Sequence, residues 1–120
     1  MFKAQEYFLT QSEPLCTGLT AGNISAWIDV SQSLYYTFWL KFAGIDISLQ
    51  FKFQCCPKID GKPGESFIST FNSDGTAQID NKNGTDFYFF SGARVGYIRI
   101  NFLVANGGTP TIDGYYFGGR

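Results

Sequence analysis

The alternation of apolar and polar residues between positions 34 and 54 constrains the fold more than any other feature of the sequence. Apolar residues occupy every second position on either side of Ala43-Gly44: Leu34, Tyr36, Phe38, Leu40 and Phe42, then Ile45, Ile47, Leu49, Phe51 and Phe53. Because successive side chains of a β-strand point to opposite faces, this pattern predicts two strands with one apolar face each. A two-residue loop at Ala43-Gly44 would bring Phe38 opposite Leu49, so we predict an antiparallel hairpin over residues 34–54.

Shorter segments of the same kind run through most of the chain. They predict strands over residues 2–9, 24–30, 66–71, 76–80, 87–90, 95–104 and 111–117, separated by glycine-containing turns such as Asp60-Gly61 and the Gly-Gly-Thr-Pro segment at 107–110. Residues 11–23 are polar and irregular. The sequence therefore predicts an all-β fold, an antiparallel two-sheet sandwich of jelly-roll-like type. We expect one domain over residues 1–120, in which residues 1–23 form a possible first strand and an irregular arm.

The charge pattern argues against several classes of function. The chain has a net charge of −1, no histidine and no run of lysine or arginine, so it lacks the basic surface that binds nucleic acid. Without histidine it cannot form Ser-His-Asp or Cys-His catalytic arrangements, and it lacks the commonest metal ligand. No apolar stretch approaches the roughly 20 residues that span a bilayer. We therefore predict a non-enzymatic protein without catalytic residues, metal or cofactor, whose partners are neither nucleic acid nor membrane.

The cysteines and the first residues indicate where the chain is made. There are three cysteines, Cys16 and the adjacent pair Cys55-Cys56, and an odd number does not suit a disulfide framework. The segment from Met1 to Glu6 lacks the apolar region of a secretory signal. We expect reduced thiols and synthesis in the cytoplasm.

The aromatic content is high for a chain with so little charge. Aromatic residues make up 18% of the sequence and charged residues 16%, whereas typical proteins carry about 25% charged residues. We expect part of this aromatic surface to lie at an interface rather than in the core. The candidate interface residues are Trp27, Tyr35, Trp39, Tyr115, Tyr116 and Phe117. For Trp27, Tyr35 and Trp39, a second layer of the core is an equal alternative, and a platform for stacking sugars is a third.

The C-terminal third of the sequence resembles a known class of proteins. A strand of the form Ala93-Arg94-x-x-Tyr97-Ile98-Arg99-Ile100-Asn101 precedes Gly107-Gly108-Thr109-Pro110-Thr111-Ile112 as a final hairpin. This order is similar to the end of small β-sandwich structural proteins of tailed bacteriophage particles.

The resemblance implies a non-enzymatic virion protein, a capsid decoration or auxiliary protein or a small head-fibre or tail subunit, made in the host cytoplasm and located in the virion. Its partners would be identical copies, as a trimer or secondarily a dimer, and other virion proteins such as the major capsid protein. The alternative function is a carbohydrate-binding module that uses the face carrying Trp27, Tyr35 and Trp39.

Overall fold

The computed structural model describes residues 12–70, 76–91 and 95–119, and most of them lie in β-strands. The strands are β1 (Ser12–Leu19), β2 (Ile28–Asp29), β3 (Tyr35–Cys56), β4 (Lys58–Ile59), β5 (Lys62–Pro63), β6 (Ser69–Thr70), β7 (Thr76–Asp80), β8 (Gly84–Ser91) and β9 (Tyr97–Gly119). One turn of 3₁₀ helix covers Glu65–Phe67. The predicted first strand, residues 2–9, lies outside the described residues.

Two long strands, β3 and β9, organise the molecule. They pair antiparallel along their whole length, from Tyr35 opposite Gly119 to Cys56 opposite Tyr97, with irregular register near the middle of each strand. The first half of β3 also pairs with β8, and its second half pairs with β7. The second half of β9 also pairs with β1, and its first half pairs with β2.

Besides the two-residue β6, which pairs with Gln54 and Cys55 of β3, the two halves of this arrangement form two sheets of four strands each. We call them sheet I, in the order β1, second half of β9, first half of β3, β8, and sheet II, in the order β2, first half of β9, second half of β3, β7. The two sheets pack face to face as an antiparallel sandwich. Counted by halves, their eight strands have the strand order of a jelly roll, so the predicted fold class is confirmed.

The predicted hairpin at residues 34–54 is wrong, because β3 does not reverse direction at Ala43-Gly44. Phe38 lies opposite Tyr88 and Tyr116, whereas Leu49 lies opposite Ile79 and Ala105. A single bent strand lines the inner face of both sheets, so it needs nearly the same alternation as a hairpin does. The alternation changes phase at the bend, where Ile47 is 63% exposed and Ser48 is buried, so the predicted inward position of Ile47 is wrong. Glycine at the centre is compatible with either solution.

The bend in β3 coincides with a bend in β9, and we call this line of bends the crease. Gly44 has φ of 75° in β3, and Gly107 and Gly108 have φ of 76° and 66° in β9, a region of backbone space that favours glycine. The predicted turn at residues 107–110 is therefore also wrong, since the chain bends from one sheet into the other without reversing.

The loop between β7 and β8 forms hydrogen bonds with β3 next to the crease. The backbone N–H of Ile45 donates a hydrogen bond of 2.9 Å to Oδ1 of Asn83. The N–H of Asn81 donates to the carbonyl oxygen of Ile47 at 2.8 Å. The backbone groups that the irregular pairing at the crease leaves without a strand partner thus find partners in this loop.

Two further predictions need correction. Residues 11–23 are not an irregular arm throughout, because β1 (Ser12–Leu19) is an edge strand of sheet I, although its register with β9 shifts twice. The strand predicted over residues 24–30 is reduced to β2 and one isolated bridge between Ile24 and Asn101. Its two short contacts with β9 are enough to place Ile28 and Val30 in the core.

The core lies between the two sheets and is rich in phenylalanine. Phe38 of sheet I is fully buried and contacts Phe53 of sheet II, with 5.3 Å between ring centroids. The remaining buried members come from both sheets: Leu15, Ile28, Val30, Tyr36, Leu40, Phe42, Ile45, Leu49, Phe51, Ile98, Ile100, Phe102, Ile112 and Tyr116. Much of the aromatic content is therefore buried between the two sheets. The core does not account for the aromatic side chains that point outward.

Candidate aromatic docking site

The outer face of sheet I carries the candidate site. Residues of β3 alternate across the sheet, so Trp39 points outward while Phe38 and Leu40 are buried. The strand register then places further aromatic residues beside Trp39. Phe87 and Tyr115 lie directly opposite it on the two neighbouring strands, and Phe89 and Phe117 lie opposite Thr37 in the next row. We call Tyr35, Trp39, Phe87, Phe89, Tyr115 and Phe117 the aromatic face.

Four of these side chains are substantially exposed. The exposed fractions are 58% for Phe87, 46% for Phe89, 46% for Tyr115 and 42% for Trp39. Trp39 stacks on Phe87 with 5.1 Å between ring centroids and 28° between ring planes. Tyr35 stacks on Phe89 at 6.4 Å and 22°. Stacking between neighbouring strands holds the rings in fixed positions, so little side-chain entropy remains to be lost when a partner binds.

Charged and polar residues border the aromatic face on the side of the crease. Lys41 lies in the next row beyond Trp39, directly between Asp113 of β9 and Thr85 of β8. Lys41 is exposed, and Asp113 is partly exposed and accepts a hydrogen bond of 2.6 Å from the N–H of Gly18 through Oδ1. One edge of the apolar surface thus carries adjacent charges of opposite sign.

The outer face of sheet II has the opposite character. Its outward side chains are mostly polar: Gln50, Lys52, Gln54, Gln78, Arg99 and Asn101. Several are hydrogen-bonded to one another, as in the bond of 2.9 Å from Gln50 to Gln78 and that of 2.9 Å from Arg99 Nε to Gln54. Leu103 and Val104 are apolar exceptions on this face, 37% and 40% exposed. The two outer faces therefore differ in their exposed aromatic rings, which lie together on sheet I.

Two of the six predicted interface residues lie elsewhere. Tyr116 points into the core and is only 5% exposed, because it alternates with the outward Tyr115 and Phe117. Trp27 lies on the side of sheet II, half-buried, with the guanidinium carbon of Arg99 4.1 Å from its ring centroid. Its Nε1 donates a hydrogen bond of 2.9 Å to Oε1 of Glu65. Trp27 thus anchors the segment around the 3₁₀ helix and is not part of the aromatic face.

The other four, Tyr35, Trp39, Tyr115 and Phe117, lie together on the aromatic face. The structure adds two residues that the sequence analysis did not single out, Phe87 and Phe89 of β8. Their alternation with Tyr88 and Phe90 is visible in the sequence and predicts a strand there. Which of the two sets points outward depends on pairing with β3 over a separation of about 50 residues, which the sequence pattern does not reveal.

The surroundings of the titratable groups do not favour chemistry at a reactive thiol. Burial raises the pKa of Cys16 to about 11, and burial also raises the pKa of Cys55 and Cys56 above the usual value. Among the described residues, no group of three or more His, Cys, Asp or Glu side chains could hold a metal ion. Within the same residues, no helix has the length and hydrophobicity to cross a bilayer. The aromatic face can bind a partner by apolar contact and ring stacking.

Comparison with known proteins finds chains of similar fold but identifies no family for this chain. No protein-family model matches the chain, and no curated protein matches it. Among solved structures, the SPBc2 prophage-derived protein YomS is similar at 15% identity with a TM-score of 0.53, covering 90% of this chain and 92% of that chain.

A carbohydrate-binding module from the family 9 glycoside hydrolase Cel9A of Ruminococcus flavefaciens FD-1 is similar at 4% identity with a TM-score of 0.52. That match covers 91% of this chain and 96% of the module. At such identities both likenesses show a shared β-sandwich fold, which hosts many unrelated functions.

Proposed function

We propose that this protein is a non-enzymatic structural component of a bacteriophage particle and that it attaches to its partners through the aromatic face. The observation that carries the proposal is the contrast between the two outer faces of the sandwich. Sheet I exposes the rings of Trp39, Phe87, Phe89 and Tyr115 together, while sheet II exposes mostly polar side chains with Leu103 and Val104. A concentration of exposed rings on one side of a small sandwich is typical of a surface that a partner covers.

The size of the aromatic face supports adhesion. An aromatic side chain buries roughly 150–250 Å² when fully covered, so four rings that are about half exposed offer on the order of 400 Å². That lies within the range of the largest apolar patches of monomeric proteins, about 300–600 Å², which are often functional. The whole chain would act as one domain in this role, with Trp39 and Phe87 as the central anchors of the contact.

The place in the particle is part of the same proposal. The fold likeness to a prophage-derived protein and the sequence resemblance of residues 93–112 support a virion protein of the capsid-decoration, auxiliary, head-fibre or tail type. Other virion proteins, such as the major capsid protein, would then be its partners. The protein would be made in the host cytoplasm and would end in the virion.

Mass spectrometry of purified particles tests the proposal. We expect peptides of this chain in stoichiometric amount in phage particles purified from the organism that carries the gene. Particles that lack the chain should take up the purified protein, and Phe87→Ser should weaken that uptake about tenfold because it removes an exposed anchor. Lys52→Ser, on the polar face of sheet II, is the matched control and should leave uptake unchanged. Purified particles that contain none of the chain would contradict the proposal.

A carbohydrate-binding module is the second candidate function. It is favoured by the stacked pair Trp39–Phe87 on a sheet surface and by the fold shared with the Cel9A module. Sugar sites also need hydrogen-bonding groups beside the rings, and Phe87, the most exposed ring of the aromatic face, carries none. A glycan array separates the two functions, since an oligosaccharide that binds and is lost in Trp39→Ala would favour the module over the virion protein.

A further inference from the structure

The charged border of the aromatic face is self-complementary. Lys41 and Asp113 are directly opposite each other on β3 and β9, so the positive and the negative charge lie side by side. Lys41 is exposed, and its side-chain ammonium group has no hydrogen bond or ion pair to any part of the chain that the structure describes. A positive charge without a partner, beside an apolar surface, is suited to an acidic group brought by whatever covers that surface.

We propose that the aromatic face binds the same face of a second copy of this chain, around a two-fold axis that runs along the strands between β3 and β9. This deepens the proposed function, because it rests on the aromatic face as a docking surface and names a second copy as the partner that covers it. Attachment to other virion proteins would then be made by the dimer.

The register determines which residues meet across such an axis. A two-fold rotation about it places β3 of one copy over β9 of the other and keeps each row in place. Lys41 then lies over Asp113 of the second copy, and Trp39 lies over Tyr115 of the second copy. Each contact occurs twice, as symmetry requires for an isologous interface. Two reciprocal ion pairs thus border two reciprocal aromatic contacts.

A dimer fits this surface better than the trimer expected from the sequence. A ring of three needs two different complementary patches on every subunit, whereas a two-fold needs one patch that complements itself. Among the described residues, the exposed aromatic side chains of the sheets gather on one outer face, and their charged border matches its own rotated image. With on the order of 400 Å² of aromatic surface per copy, about 800 Å² in all, the aromatic contact is smaller than the roughly 1,200–2,000 Å² of stable interfaces, so we expect a weak dimer.

Sedimentation of complementary charge variants tests the proposal. We expect the wild-type protein to be a reversible dimer with a dissociation constant in the micromolar range, measured between about 1 and about 500 µM. Lys41→Glu and Asp113→Lys should each weaken the homodimer about tenfold or more, because both reciprocal pairs become like-charged. An equimolar mixture of the two variants should restore dimers, since the mixed pair regains two contacts of opposite charge.

Controls make each outcome decisive. Lys52→Glu changes a lysine of the same strand on the outer face of sheet II and should leave dimerisation unchanged. Asp113→Lys also removes the acceptor of the Gly18 N–H, so its fold is checked by circular dichroism. If it does not fold, Lys41→Glu alone decides: a homodimer as tight as the wild type overturns the proposal.

A wild-type protein that remains monomeric at the highest concentration overturns it too, as does a mixture of folded variants that stays monomeric. Self-association and incorporation into particles are separate measurements. A monomer that is present in purified particles would refute the two-fold contact and leave the virion function standing.

Discussion

Phe38 is the residue whose truncation tests the core most directly. Its side chain is fully buried and contacts rings of both sheets, including Phe53 and Tyr116 at centroid distances of 5.3 and 5.6 Å. We expect Phe38→Ala to lower the free energy of unfolding by roughly 3–5 kcal/mol, because neighbouring rings cannot collapse fully into the cavity. Chemical denaturation measures the loss. Phe87→Ala, a truncation of the same size on the exposed face, should cost about 1 kcal/mol or less. Equal losses in the two variants would contradict the placement of Phe38.

Buried tyrosines make the protein sensitive to alkaline pH. Burial raises the pKa of Tyr36 and that of Tyr88 from 10.0 to about 12. Each group keeps its proton longer in the folded state than in the unfolded state, so its contribution to stability is complete below pH 10 and declines as the pH rises from 10 towards 12. Urea denaturation across this range should show the decline, and Tyr36→Phe should make it less steep. A constant free energy of unfolding between about pH 9 and about pH 11.5 would be inconsistent with these shifts.

At the scale of the strands, the crease decides the architecture. A side chain on Gly108 would place its Cβ 3.0 Å from the carbonyl oxygen of Gly44, in a backbone conformation with φ of 66°. Gly22 has φ of 84° and open space where a Cβ would stand, so it is a matched control for the conformational cost alone. We expect Gly22→Ala to cost about 1–2 kcal/mol and Gly108→Ala about 1 kcal/mol more. Thermal unfolding compares the two variants, and an equal cost would mean that the crease tolerates an added methyl group.

The sequence was sufficient to predict most of the strands, but it did not show how those strands are connected. Alternation located the strand residues of β3, β7, β8 and β9, because the period of two is a local property of the chain. It did not show that β3 and β9 bend without reversing. Glycine with positive φ serves both a tight turn and a bend, and the difference lies in hydrogen bonds to Asn81 and Asn83, far along the chain.

The candidate site shows the same division between local and distant information. Alternation within β3 and β9 places Trp39, Tyr115 and Phe117 on one face and turns Tyr116 inward. The contribution of Phe87 and Phe89 depends on the pairing of β8 with β3, and the position of Trp27 depends on contacts with Arg99 and Glu65. Interactions over such separations have no signal in a single sequence.

For the molecule as a whole, the fold does not depend on the aromatic face, so a substitution there should leave the sandwich intact. Trp39 is 42% exposed and lies outside the core, so the alternative in which it forms a second core layer does not apply. We expect Trp39→Lys to keep the β-sheet circular dichroism and to lower the free energy of unfolding by about 1 kcal/mol or less. The same variant should lose self-association, because it places a charge in the contact. Gln50→Lys on sheet II is the control. If Trp39→Lys unfolded while Gln50→Lys stayed folded, the placement of Trp39 outside the core would be contradicted.

The position of β9 has a consequence for the order of events during synthesis. This strand is central in both sheets, yet it is the last part of the described chain to be translated. Until the corresponding half of β9 has been translated, β1 and β2 each lack the strand they pair with, and β3 lacks a neighbour along one edge. Neither sheet can therefore close before its half of β9 has been made. During that interval an aromatic-rich nascent chain remains open to chaperones.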